Sequence, residues 1–218
     1  VVQSFQWNNG TGAVTFIDGT TGLNGVVSAS NSLVGSSAFD GVGRSGLLVL
    51  NNGNYVVSST AWRNGSATSA GAVTWVNGSN GQIAGGTSTG GVVSASNSLV
   101  GTTVNDRVGI TVTALSNGNY VVLSAGWDRV GVAADAGAVT WGSGTSGVIG
   151  AIGADNSLIG SRASDFVGSR GITVLTNGNY VVNSPRWAAS DNERNAGAAT
   201  FVNGSTGQLV GGALGGTI

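Results

Sequence analysis

Short runs of apolar and β-branched residues, separated by glycine- and asparagine-rich segments, occur along the whole chain. In the last quarter of the sequence these runs are 172–175, 180–184, 198–202 and 208–210. Runs of this length, bounded by Asn-Gly, Gly-Ser or Gly-Thr, are typical of β-strands joined by turns. Asn177-Gly178 predicts a tight hairpin, because a primed turn requires positive φ at both central positions. No segment has helical periodicity, so the pattern predicts an all-β fold.

The same succession of runs repeats about every 60 residues. An Asn-Gly-Asn-Tyr-Val-Val motif is followed by a tryptophan, a Gly-Ala-(Val/Ala)-Thr-(Trp/Phe) strand and an Asn-Ser-Leu-(Val/Ile)-Gly motif. The tyrosines are Tyr55, Tyr120 and Tyr180, and the tryptophans, spaced by 55, 65 and 60 residues, are Trp7, Trp62, Trp127 and Trp187. The chain is therefore a single repeat array of unit 1 (1–46), unit 2 (47–111), unit 3 (112–171) and unit 4 (172–218).

Four short antiparallel strands in each unit predict a blade of a β-propeller, since no single sheet is large enough to be stable alone. We therefore expect a propeller-like array of about four four-stranded antiparallel blades. Alternation places Val139 and Trp141 on one face of their strand and Ala138 and Thr140 on the other, which suits blades stacked face to face. A β-solenoid is the alternative fold, although solenoid coils usually have about 20 to 30 residues.

The strand count leaves unit 1 one strand short. Three predicted strands in unit 1 and four in each other unit make fifteen, and the sequence opens at Val1-Val2, partway through the repeated motif. This start predicts that the chain derives from a longer parent. The missing strand would come either from 211–218 or from another molecule, and in the second case copies would associate head to tail.

Composition argues against several classes of function. Charged residues make up 8% of the chain, and its eight cationic residues, all arginine, face nine acidic ones, so no basic surface is expected for nucleic acid or an anionic membrane. No apolar run approaches the roughly 20 residues that span a bilayer. Histidine, cysteine and lysine are absent and Glu193 is the single glutamate. We therefore expect neither an enzyme nor a bound cofactor.

Acidic and aromatic residues recur at fixed places in the repeat. Asp40, Asp106 and Asp165 share an Asp-x-Val-Gly context, and an acid repeated in this way is typical of a side chain that accepts backbone N–H groups in a turn. We interpret the four repeated tryptophans as residues that pack between blades. The alternative is that exposed indoles stack on sugar rings, which would make the array a multivalent lectin.

Four Asn-Gly-(Ser/Thr) triplets match the acceptor sequence for N-glycosylation. Such triplets are also typical turns, and that is our interpretation of them. An intact mass equal to that of the unmodified 21.3 kDa chain would exclude glycosylation. The asparagines are Asn9, Asn64, Asn77 and Asn203.

An ordered set of short motifs leads into and through unit 4: Val167-Gly168, the strand 172–175, Gly178 to Pro185, and Gly197 to Phe201. This order resembles the FG-GAP blade of integrin-α-like β-propellers, in which Phe-Gly, a strand, Gly-Ala-Pro and Gly-Ala-aromatic follow one another. Units 2 and 3 keep the order but lack the proline. Many FG-GAP blades bind calcium through an Asp-x-Asp-x-Asp-Gly loop. The corresponding loops 50–54 and 116–119 contain no carboxylate, so we expect no metal there.

The whole array also resembles repeats of no assigned function in very large bacterial surface proteins of the filamentous-haemagglutinin and autotransporter type. This resemblance implies an extracellular or cell-surface location. We therefore expect a non-enzymatic structural module of a bacterial surface protein or filament, assembling by strand complementation between chains. Its partners would be copies of itself or further repeats of the same parent chain. A carbohydrate-binding adhesin is the alternative, with glycans as its partners.

Overall fold

The computed structural model describes all residues, 1–218, and contains four β-sheets of three to five strands. Its one helical segment, α1 (Trp7–Gly10), is a single turn in which Asn8 and Asn9 have left-handed backbone angles. The predicted all-β class is confirmed, and the sheets form a propeller-like array without a closed barrel. Nothing in the chain forms a helix with the length and apolarity needed to cross a membrane.

Seventeen strands build the four sheets. In chain order they are β1 (Val2–Ser4), β2 (Ala13–Thr15), β3 (Ser32–Val34), β4 (Leu47–Val49), β5 (Tyr55–Ser59), β6 (Ala72–Val76), β7 (Gly91–Val92), β8 (Leu99–Val100), β9 (Thr111–Ala114), β10 (Tyr120–Ser124), β11 (Ala138–Gly142), β12 (Gly150–Ala151), β13 (Ser157–Ile159), β14 (Ile172–Val174), β15 (Tyr180–Ser184), β16 (Ala198–Val202) and β17 (Gly216–Thr217).

Each unit forms its own antiparallel sheet in one fixed order. In unit 2 the order is β4, β5, β6, β8, and in unit 3 it is β9, β10, β11, β13. The register repeats as well, since Val73 faces Leu99 in unit 2 and Val139 faces Leu158 in unit 3. Unit 1 has β1, β2 and β3, and unit 4 has β14, β15 and β16. Repeated sequence therefore gives repeated pairing, strand by strand.

A further short strand crosses from each unit into the sheet of the unit before it. β7 of unit 2 pairs in parallel with β3, β12 of unit 3 pairs with β8, and β17 of unit 4 pairs with β13. We call β7, β12 and β17 the exchanged strands. Hydrogen bonds of 3.0 Å from Gly150 N to Ser98 O and of 3.1 Å from Ile152 N to Val100 O cross the boundary between units 2 and 3. Sequence analysis did not predict these strands, and they tie consecutive sheets together through the backbone.

The C-terminal segment differs from the expectation. The run 208–210 forms an isolated bridge to Val202 but no strand, and β17 joins the sheet of unit 3. Of the two alternatives for the missing strand of unit 1, the one in which 211–218 completes that sheet is therefore wrong. Leu209 and Ile218 pack against the apolar cluster between units 3 and 4, which holds the intervening chain at that boundary.

Three apolar clusters lie at the three boundaries between consecutive units. The largest contains fifteen buried residues from units 2 and 3, including Val73 and Trp75 on one side and Val122 and Ala138 on the other. Clusters of 11 and 9 buried residues occupy the other two boundaries. Val139 belongs to the cluster shared with unit 4, so successive residues of β11 face opposite neighbours, as the alternation predicts. No hydrogen bond or apolar cluster joins unit 1 to unit 4, so the array is open.

The three repeat tyrosines are buried in these clusters, each at the start of the central strand of its unit. Burial raises the pKa of Tyr55 to about 12, and burial also raises the pKa of Tyr120 and of Tyr180. The cause in each case is that the phenolate loses its hydration in an apolar surrounding.

We expect the free energy of unfolding to fall as the pH rises above about 10, where tyrosine ionises in an unfolded chain. The folded chain holds these phenols protonated up to a pH of about 12 for Tyr55, so alkali favours the unfolded state between these values. Circular dichroism and tyrosinate absorbance should therefore change together in one step. Tyr120→Phe removes one such group and should move the step to higher pH. Tyrosinate absorbance that develops fully before the structure is lost would contradict this account.

Candidate functional site: the junctions between units

A buried aspartate connects each unit to the next one. In unit 2, Asp106 is 1% exposed, and its Oδ2 accepts hydrogen bonds of 2.8 Å from the backbone N–H groups of Thr102 and Thr103. Its Oδ1 accepts a hydrogen bond of 3.0 Å from the backbone N–H of Asp128 in unit 3. Asp40 and Asp165 make the same three kinds of bond, across to Arg63 N and Ala188 N respectively. One carboxylate thus holds a turn of its own unit and the loop that follows the tryptophan of the next.

The backbone on both sides of this aspartate is strained. Asn105 and Arg107 flank Asp106 with φ angles of 68° and 48°, a region that side-chain-bearing residues seldom adopt. Hydrogen bonds of 3.0 Å to Thr68 O and Ser69 O hold these two residues in place. Ser164 and Phe166 flank Asp165 in the same way, with φ angles of 64° and 46°. The carboxylate and these backbone hydrogen bonds together stabilise the positive φ angles on either side of the aspartate.

At the junctions of units 2 and 3 and of units 3 and 4, a glycine carbonyl of the later unit accepts hydrogen bonds from side chains of the earlier one. The carbonyl oxygen of Gly144 accepts hydrogen bonds from Asn52 Nδ2 at 2.8 Å, Asn54 Nδ2 at 2.7 Å and Trp75 Nε1 at 3.0 Å. Gly144 also donates its N–H to Asn119 Oδ1 at 2.9 Å within unit 3. The junction of units 3 and 4 repeats the arrangement, with Gly204 O bonded to Asn117, Asn119 and Trp141. We call this arrangement the amide clasp.

Two glycines near the amide clasp, Gly144 and Gly147, lie in close contact with other parts of the structure. Gly144 lies against the backbone of Gly118, and Gly147 lies against the side chain of Trp75. A Cβ at Gly144 would lie 1.8 Å from Gly118 O, so no other residue fits there without displacement of the hairpin. Three residues later, a Cβ at Gly147 would lie 2.6 Å from the Cβ of Trp75, which rests directly on this turn. Gly81 receives Phe16 and Gly207 receives Trp141 in the same way. At each junction an aromatic side chain of one unit thus packs on a glycine in a turn of the next unit.

The Asn-Gly-Asn motif predicts a hairpin turn, and the structure gives its asparagines a second role in the amide clasp. A tight turn needs only one asparagine before its glycine. The second asparagine, present in all three copies of the motif, was the available signal for a contact outside the turn. The aromatic residue that ends the Gly-Ala strand was predicted to pack between units, but its indole N–H bond was not.

The four repeated tryptophans are buried to different degrees. Trp62 and Trp127 are each 4% exposed, and Trp7 and Trp187 are partly buried. Trp62 and Trp127 belong to the apolar clusters at the boundaries of units 1 and 2 and of units 2 and 3. Because their ring faces are covered, these two side chains offer no surface on which a sugar ring could stack.

The asparagines of the four acceptor triplets occupy turns. Asn77 Oδ1 accepts a hydrogen bond of 2.8 Å from Ser79 N, and Asn203 Oδ1 accepts one of 2.9 Å from Ser205 N. Asn64 donates its side-chain amide to Gly101 O at 2.8 Å, and Asn9 has a left-handed φ of 56°. The amide nitrogen of Asn64 is therefore engaged in the fold of its own unit.

Charged groups are sparse, and apart from the three buried aspartates they are partly or fully exposed. The one ion pair joins Arg162 Nε to Asp191 Oδ1 at 3.2 Å, and the guanidinium of Arg186 lies 4.9 Å from the ring centroid of Phe166. No group of three or more His, Cys, Asp or Glu side chains is placed to hold a metal ion. The recurring chemistry of this molecule is therefore concentrated in the junctions.

Comparison with protein families finds one match. A family model described as a repeat of unknown function matches 1–44, 49–110, 114–169 and 174–212, one segment in each unit. A comparison with curated proteins finds no match.

We expect Asp106→Ala to lower the free energy of unfolding by about 3 kcal/mol, because it removes a buried carboxylate that accepts hydrogen bonds from three backbone N–H groups, one of them in the next unit. Asp155→Ala is the matched control, since that side chain is exposed and should change stability by less than about 0.5 kcal/mol. Urea denaturation measures both variants. Equal midpoints for the two would show that the buried carboxylate does not stabilise the junction.

Proposed function

We propose that this chain, which belongs to the family of repeats of unknown function (DUF5650), is a non-enzymatic structural module of an extracellular bacterial surface protein or filament. The observation that carries the proposal is that one junction is built three times in succession, at the boundaries of units 1 and 2, 2 and 3, and 3 and 4. Each junction combines an exchanged strand, a buried aspartate and an apolar cluster. Such an array is suited to connect and to space other parts of an assembly.

The chemistry of the side chains supports an architectural role. Each of the three repeated aspartates is buried and accepts backbone N–H groups through both carboxylate oxygens. Each carboxylate therefore holds backbone of two consecutive units together, which is a structural task. The chain has no histidine, cysteine or lysine that could replace it in acid–base or nucleophilic chemistry.

The relation to FG-GAP propellers is part of the proposal, and the loops at 50–54 and 116–119 give it a particular form. Many FG-GAP blades bind calcium at this place through carboxylates. Here the asparagine amides of these loops donate hydrogen bonds to Gly144 O and Gly204 O of the following unit. We infer that direct contact between units takes the place of an ion, and that the array needs no calcium to stay folded.

An extracellular module must withstand proteases without the help of disulfides, since the chain contains no cysteine. The exchanged strands would protect the units from proteases, because a unit can open only if the sheet of the preceding unit also loses a strand. We therefore infer that the units unfold together. Strand complementation between chains would extend the same principle beyond one molecule.

Gly144→Ala tests the role of the junctions. Its Cβ would lie 1.8 Å from Gly118 O in the amide clasp, so we expect a loss of about 3 kcal/mol and a denaturation curve that splits into two transitions. Limited proteolysis should then cut the variant faster than the natural chain. Gly19→Ala is the matched control, because it is the equivalent glycine of unit 1 and a Cβ there would meet nothing within 4 Å. Equal behaviour of the two variants would contradict a structural role for the junction.

The proposed location has a separate test. Antibodies against this chain should label intact bacteria that make the parent protein. Labelling that requires lysis of the cells would contradict an extracellular role.

A further inference from the structure

The sheets of the array have two ends, and like ends lie side by side. At one end the buried aspartates accept backbone N–H groups of the next unit, and at the other the Asn-Gly-Asn turns form the amide clasps. We call these the aspartate end and the asparagine end. The aspartate end consists of the turns 35–46, 101–110 and 160–171 and the loops 5–12, 60–71, 125–137 and 185–197.

Every arginine of the chain lies at the aspartate end. The asparagine end has no cationic side chain, and it carries the acidic residues Asp18 and Asp155. Besides the three buried aspartates, the aspartate end has four acidic side chains, all in the loops 125–137 and 185–197. The eight arginines are Arg44, Arg63, Arg107, Arg129, Arg162, Arg170, Arg186 and Arg194. The fold therefore separates charges that nearly cancel in the composition, and cations outnumber the accessible acids at one end.

Arginines of two units come together at each junction. Between units 2 and 3, Arg107 directly follows Asp106 in its turn. Arg129 directly follows Asp128, whose backbone N–H donates to Asp106 Oδ1 at 3.0 Å. That hydrogen bond places the two arginines on neighbouring segments of different units. The other two junctions also have an arginine on each side: Arg44 with Arg63, and Arg162 with Arg186.

Little of this positive charge is used within the structure. The one ion pair joins Arg162 to Asp191, and Arg162 is the only arginine whose side chain donates hydrogen bonds. The guanidinium of Arg186 lies over the ring of Phe166, a contact that uses none of its N–H groups. Arg107 is exposed and makes neither kind of contact. These guanidinium groups are therefore available to an anionic ligand, which they would hold through charge-assisted hydrogen bonds.

Hollows open at the aspartate end, one beside each of the three aspartate turns. Their volumes are about 340, 350 and 390 Å³, within the range of small-molecule sites. Val130 and Val132, which are 65% and 62% exposed, line the middle hollow, and Phe39, 78% exposed, lines the first. The arginines that line them are, in chain order, Arg44, Arg129, and Arg186 with Arg194. An apolar surface beside a cation suits a sugar acid, whose ring has apolar C–H groups and whose carboxylate pairs with guanidinium.

The distribution of the arginines favours one class of polyanion. Duplex DNA carries one charge per about 1.7 Å and is bound by clustered cations, whereas the arginines here are distributed over three junctions. Anionic membranes attract segments with about four to eight clustered lysines or arginines, and no segment of this chain has such a cluster. A linear polysaccharide with one carboxylate on each sugar matches widely spaced guanidinium groups, because each pair forms two parallel hydrogen bonds.

We infer that the aspartate end of the array is a binding surface for a linear polysaccharide that carries uronic acid carboxylates. Sugar acids occupy the arginine-lined hollows, and successive junctions bind successive parts of one polymer, so that weak contacts act together. This inference goes beyond the proposed structural role, because it assigns a ligand to one end of the sheets. A module that spaces parts of a surface assembly would thereby also attach them to an acidic matrix.

The test uses the natural chain and two forms of one polymer. Polygalacturonate is the anionic probe, and its fully methyl-esterified form is the uncharged control. We expect calorimetry to show binding of polygalacturonate that weakens as the salt concentration rises, and no binding of the ester. Absence of polygalacturonate binding at low salt, or equal binding of the ester, would overturn the inference. Tighter binding of duplex DNA or of anionic lipid vesicles would overturn the choice of partner.

Variants of the middle junction locate the surface. Arg107→Gln with Arg129→Gln should weaken polygalacturonate binding about tenfold. Arg129→Gln alone, at a residue without a positive φ, should weaken it about threefold. Ser79→Asp with Ser146→Asp changes the net charge as much as the double arginine variant does, but at two exposed serines of the asparagine end, and should leave binding within about twofold.

Equal weakening by the two double variants would show that net charge alone matters, and would overturn the assignment to the aspartate end. Thermal denaturation establishes that each variant is folded. Binding is measured on chains with intact amide clasps, so its failure is distinguishable from failure of the junction test with Gly144→Ala.

Discussion

The burial of each sheet between its two neighbours is the constraint on which the rest of the structure depends. A sheet of three or four short strands has too little apolar surface to be stable by itself, and successive residues of its strands point to opposite faces. Val139 is covered by unit 4, whereas Ala138 is covered by unit 2. Units 2 and 3 are therefore each covered by a neighbour on both sides, and the exchanged strands add backbone pairing to this burial.

Polar contacts at the junctions fix the geometry that apolar burial leaves open. Apolar faces could slide past each other with little loss of buried area, because the hydrophobic effect is non-directional. The hydrogen bond that Asp106 Oδ1 accepts from Asp128 N, and those that Asn52 and Asn54 donate to Gly144 O, fix how units 2 and 3 lie against each other. The buried aspartate recurs at all three junctions, and the amide clasp recurs at the junctions of units 2 and 3 and of units 3 and 4. In the proposed function this regularity is what a spacing element requires.

Glycine permits close contact between neighbouring segments at a few positions where no larger residue fits. Gly144 lets one hairpin approach another, and Gly147, with its positive φ, gives Trp75 a flat surface on which to rest. The high glycine content is thus explained in part by close contact between units. The low charge content is consistent with the same arrangement, because most faces of the inner units meet another unit and not solvent.

The sequence by itself determined the repeat, the all-β class, the antiparallel pairing of the strands before and after the Asn-Gly turn and the alternation of faces, because each depends on residues close together in the chain. It also indicated that Asp106 and its equivalents would lie in turns. Only the tertiary structure decided that β17 joins unit 3, that the array is open, and that Asp106 and Asn52 reach into the next unit. The exchanged strands have two residues each and depend on a partner in another unit. Two residues carry no periodicity, so their pairing was beyond the reach of any local pattern.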